Sequence, residues 1–127
     1  MVELTTADLI WNRACLDDVT TPLVGDKALA SLLHFHNLAM NGGPLHAVEC
    51  LAPYEIEDAA SGYRFFGFSE VADLLGGVTV IGKSADEMER LEAELDRRYG
   101  KLIPWDNVLT ERFRAYLQDH PSDFAPL

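Results

Sequence analysis

The sequence predicts an all-α fold, a single compact domain of about six or seven helices. Apolar residues recur at spacings of three and four along most of the chain. Ser, Thr, Asp and Pro stand where helices would begin, and Gly or Pro where they would end. The one β-branched run, residues 78–81, has no visible partner strand and reads as an extended connection. The chain's 127 residues suit one domain whose core needs no disulfide or metal staple. Only residues 121–127 are expected to be unstructured.

Each element has its own signals. Thr6 is placed to cap a first helix over about residues 7–17, with Leu9, Ile10 and Ala14 on its apolar side. Thr20, Thr21 and Pro22 break it. Asp26 is read as the N-cap of a second, central helix carrying Leu29, Leu32, Leu33, His36 and Met40. Asn41, Gly42 and Gly43 stop that helix, and Pro44 suits the first position of a third, to about residue 51. Pro53 opens a fourth through residue 65, ended by Gly67. Ser69 is read as the cap of a short fifth helix over 70–75, which Gly76 and Gly77 stop. Ser84 followed by Glu87 is a capping box for a sixth helix. Its apolar face holds Met88, Leu91, Leu95 and Tyr99, its outer face the pairs Asp86–Arg90 and Glu94–Arg98, and Gly100 is its expected stop. Asp106 is read as the cap of the last helix, which buries Val108, Leu109, Phe113, Tyr116 and Leu117 and ends at His120 and Pro121.

Charge is the unusual property. Twenty-one acidic residues face 10 basic ones, for a net charge of −11. That balance argues against direct nucleic-acid binding and against an anionic membrane surface, and favours a basic protein partner. Residues 1–63 hold nine acids against two bases, Arg13 and Lys27, a balance of −7; the rest of the chain stands at −4. Asp17, Asp18 and Asp26 surround one loop, while Glu55, Glu57 and Asp58 cluster on one helix. Like charges at such spacing repel, so these six form the candidate partner-binding face.

Chemistry-bearing motifs are sparse. His34 and His36 point in different directions on a helix, so no metal site is expected, and His36 reads as a histidine at the core edge. No nucleophile elbow or phosphate-cradling loop occurs, so neither a catalytic site nor a cofactor is expected. Cys15 and Cys50 fall in apolar helical contexts and read as buried, reduced thiols. With no leader or membrane-span pattern, a cytoplasmic location is expected.

The segment His36-Asn37-Leu38-Ala39-Met40-Asn41-Gly42-Gly43 resembles the Asn-Gly-Gly signature of a DMP-type DNA-mimic protein family, whose bacterial members are mostly uncharacterised. The likeness continues over residues 68–75, 91–99 and 113–124, and spans about residues 26–125 in all. Pro44 stands where the pattern has a large apolar residue. The resemblance implies a helical fold and, for one branch, carboxylates standing where DNA phosphates would on the basic face of a DNA-binding protein. It transfers no individual binding residue. Asn41, Gly42 and Gly43 match the motif and are read as structural, with the Asn side chain bonding nearby backbone.

The function expected from the sequence is therefore an acidic protein-binding domain, in one form a DNA mimic. An immunity or antitoxin-like protein that neutralises a basic toxin is a second reading. An enzyme with a site assembled across helices is a third. A module that only self-associates, through Phe65, Phe66 and Phe68, is a fourth. The oligomeric state is open.

Overall fold

The first helix opens at Thr5, one residue before the expected cap. In the computed structural model, which describes residues 3–127, the Thr5 hydroxyl accepts from Asp8 N–H at 3.1 Å and the Asp8 carboxylate accepts from Thr5 N–H at 3.0 Å. This reciprocal pair satisfies two amides the first turn would otherwise leave unbonded, and it lowers the Asp8 pKa. Helix α1 then runs Thr6–Cys15.

Six more α-helices follow: α2 Val24–Gly42, α3 Pro44–Cys50, α4 Pro53–Phe65, α5 Ser69–Gly76, α6 Ala85–Leu102 and α7 Asp106–Asp119. A single 3₁₀ turn, Pro121–Asp123, closes the chain, and the described residues contain no strand. Residues 78–81 form the expected connection, with Val78 and Val80 packed on the core and Ile81 in solvent. No helix among the described residues is long and apolar enough to cross a membrane.

Helix α2 is the centre of the fold. Leu29, Leu32, Leu33, Phe35 and Ala39 are buried on it, and α1, α3 and α4 all pack against it. The closest crossing is with α4: a Cβ on Gly62 would collide with the Ala28 carbonyl oxygen, so only glycine admits this approach. The α2–α3 corner is made at Gly43, whose φ of +93° lies in the region that favours glycine. Pro44 follows as the first residue of α3, where its missing N–H leaves no bond unmade. The expected helix stop therefore holds, although Asn41 lies inside the last turn of α2.

A line of polar groups ties four helices through the core. His36 on α2 is 2% exposed, and its Nε2 lies 2.7 Å from the Asp106 carboxylate on α7. Its Nδ1 lies 2.7 Å from the Tyr99 hydroxyl on α6, which in turn lies 2.6 Å from the Tyr63 hydroxyl on α4. An ionised carboxylate only accepts, so Nε2–H donates to Asp106. In the neutral ring Nδ1 then accepts from Tyr99, and Tyr99 accepts from Tyr63. Every buried side-chain polar atom in the line is bonded, as burial demands. Burial, reinforced by the neighbouring Tyr99, pushes the Tyr63 phenol well up; burial also raises Tyr99, with the Asp106 charge adding to it.

Several local expectations are corrected by the fold. Asp26, Ser69 and Asp106 sit inside the first turns of α2, α5 and α7, and the N-caps are Leu23, Phe68 and Trp105. Helix α6 runs past Gly100 to Leu102, because buried Ile103 draws the next turn onto the core. Leu9 and Met40 lie on solvent, and both cysteines are exposed rather than buried. Phe66 is buried, while Phe65 and Phe68 are half-buried and pack against the core. The Glu94–Arg98 pair forms at 3.5 Å; Asp86–Arg90 is not among the ion pairs of the described residues.

The tail, too, is tied down. Phe124 is buried against Phe113 and close enough to Gly25 that a Cβ there would lie 2.7 Å from its ring. Arg13 donates to the carbonyls of Ala125 and Pro126, at 2.6 and 3.1 Å.

Candidate functional site

The outward face of α2 is the floor of an open groove of about 1150 Å³. One wall is the end of α1 and the loop after it, with Cys15, Asp17 and Val19; the other is α4, with Tyr54, Glu55, Asp58 and Phe65. Half-buried Ala28, Ala30, Ser31 and Leu38 make a floor of mostly small and apolar side chains. Exposed Lys27, His34, Asn37 and Asn41 line it as well.

Four of the six expected acidic residues line this groove: Asp17, Asp26, Glu55 and Asp58. Asp18 lines a smaller neighbouring cavity, with Arg13 and the tail, and Glu57 lines neither. The six are therefore partly gathered.

Asp26 is not an exposed member of that face. It is 3% exposed, its Oδ1 accepts from the Arg13 guanidinium at 2.9 Å, and its Oδ2 accepts from Leu23 N–H at 3.0 Å and Ala125 N–H at 2.7 Å. Its charge is compensated and both its oxygens are bonded, which makes it a fold residue. Glu55 is half engaged: Oε1 accepts from Ala52 N–H at 3.0 Å, and Oε2 lies 3.6 Å from His34 Nδ1. Asp17 and Asp58 are exposed on opposite walls and have no ion-pair partner among the described residues.

Asp17 has an unusual backbone. It stands at φ +51°, the one non-glycine residue at positive φ among those described. Asp17 N–H donates to the Ala14 carbonyl and Asp18 N–H to the Arg13 carbonyl, both at 3.1 Å. This paired closure of a helix end normally uses glycine at the left-handed position. Helix α4 ends the same way with glycine: Gly67 at φ +86° bonds Arg64, and Phe68 bonds Tyr63. Asp17 thus occupies a glycine position, and it stands at the negative end of the α1 dipole, where a carboxylate is disfavoured.

Sequence reasoning found the acidic walls and missed the floor. Ala28, Ala30 and Ser31 carry no signal of their own and Leu38 reads as widening the apolar stripe of α2; only the α2–α4 crossing leaves them facing outward between two walls. Asn41 lines the groove, and no side-chain bond from it to backbone occurs among the described residues. No group of three or more His, Cys, Asp or Glu side chains placed to hold a metal ion occurs among the described residues. No protein-family model matches the chain, and comparisons with curated proteins and with solved structures return no match.

Proposed function

We propose that this protein is an acidic protein-binding domain that receives a basic segment of a partner protein in the groove along α2. The observation that carries the reading is Asp17, a carboxylate held in a left-handed conformation at the wrong end of a helix dipole. Local strain at an exposed residue is a pointer to function, because folding alone would be better served by glycine. Asp58 and Glu55 face it across the groove. Carboxylates on two walls speed and orient the encounter with a cationic surface.

The DNA-mimic form of this reading makes the partner a DNA-binding protein. It is supported by the Asn-Gly-Gly resemblance and by the net charge of −11.

The test is affinity capture from the native cell extract at low and high salt, with the wild-type chain and an Asp17→Lys, Glu55→Lys, Asp58→Lys variant. A basic protein held by the wild type at low salt, released at high salt and absent from the variant is the expected result. Release of that partner by duplex DNA identifies the mimic form. Equal capture by the two chains removes the groove from the account.

A further inference from the structure

The shape of the groove narrows the class of partner. Its floor follows the outward face of α2 from Val24 to Asn41, about 26 Å at the rise of an α-helix. Floor residues Ala28, Ala30 and Ser31 are small, so a second helix axis can approach to about 8–10 Å. Leu38 and Phe65 are half-buried along the groove, and Val24 and Tyr54 are exposed at its ends. The floor is itself a helix whose backbone groups are bonded internally. An extended segment laid on it would leave its own amides and carbonyls without partners, whereas a helix brings its bonds with it.

We infer that the occupant is a cationic amphipathic helix of the partner, lying along α2 with its apolar stripe on the floor and Lys or Arg on both flanks. This rests on the protein-binding reading above. Flanking Lys or Arg side chains keep their stems over apolar surface and extend their charges to Asp17 on one wall and to Asp58 and Glu55 on the other. Exposed Lys27, without an ion-pair partner among the described residues, selects an acidic residue near one end of that helix.

The experiment uses the full chain and a fluorescent peptide of Leu, Ala and Lys, about 18 residues long to match the floor at helical rise. A second peptide has the same composition in an order that gives no apolar face. Anisotropy titration is expected to show the amphipathic peptide bound about tenfold or more tightly than its permuted twin, with a gain of helical circular dichroism on binding. Ser31→Arg, which blocks the floor, is expected to abolish that preference with the far-ultraviolet spectrum of the protein unchanged. Equal affinity for the two peptides overturns the helix inference and leaves protein binding standing. Failure to bind either peptide overturns both.

Discussion

Arg13 and Asp26 meet at 2.9 Å where the end of the described chain returns to the start of α2, and between them they hold three segments. Asp26 bonds the Leu23 and Ala125 amides, while Arg13 bonds the carbonyls of Ala125 and Pro126. Removing one member of a buried pair strands the other's charge. Asp26→Ala is therefore expected to destabilise the fold by about 3 kcal/mol in urea unfolding. Exposed Glu57→Ala should stay within about 0.5 kcal/mol. Similar losses for the two variants would return Asp26 to the surface.

Asp17 opposes stability to binding. Asp17→Gly relieves the left-handed strain and the dipole conflict, and should stabilise the protein by about 1 kcal/mol. The same substitution should weaken retention of a basic partner. Thermal melting read beside capture checks both directions, and a variant that gains neither stability nor a binding defect contradicts this role.

The raised tyrosine pKa values set the alkaline limit. A group whose folded pKa exceeds its unfolded value stabilises fully below the unfolded pKa, and that contribution is lost as pH rises toward the folded one. The unfolded phenol ionises near the ordinary value of 10.0, while Tyr63 and Tyr99 stay protonated in the fold well above it. Stability should then fall above pH 10 by about 1.4 kcal/mol per pH unit for each of these tyrosines. Tyr63→Phe should flatten that slope, measured by urea unfolding across the alkaline range. An unchanged slope would mean that Tyr63 ionises freely.

Two glycines in helices should respond oppositely to alanine. Gly62→Ala drives a methyl into the Ala28 carbonyl and should cost about 1–3 kcal/mol. Gly100 lies inside α6, and a Cβ there meets nothing within 4 Å. Gly100→Ala should stabilise by about 0.5–1 kcal/mol. Circular dichroism melts of both variants decide it.

The helices were legible because each carries its own start and stop. Ser84 with Glu87 marks α6, and Pro44 and Pro53 open α3 and α4. The caps of α2, α5 and α7 are not legible, because Leu23, Phe68 and Trp105 offer no side-chain oxygen and the polar residue that signals the start lies inside the first turn. Leu23 is an N-cap only by its backbone, and Asp26 reaches back to it from three residues on. Periodicity locates the buried side of α2 but not its width: it puts Met40 inside, and Met40 lies 55% exposed. The His36–Tyr99–Tyr63 line joins residues up to 63 apart in sequence, and no local pattern holds it. Its one trace was polar groups at apolar positions, which need partners once buried. The acidic residues are all visible in the sequence, yet no local pattern signals that Arg13 neutralises Asp26. Nor does one show that Asp17 sits across from Asp58.

The most direct test of groove binding needs no natural partner. Helix α6 carries a competing acidic stripe in Glu89, Glu92 and Asp96, all exposed. A short oligolysine titrated into the labelled protein, followed by amide chemical shifts, compares the two surfaces. The amides of Asp17, Ser31, Leu38 and Asp58 should shift and saturate first. Equal or earlier shifts along α6 would contradict a groove built for a basic partner.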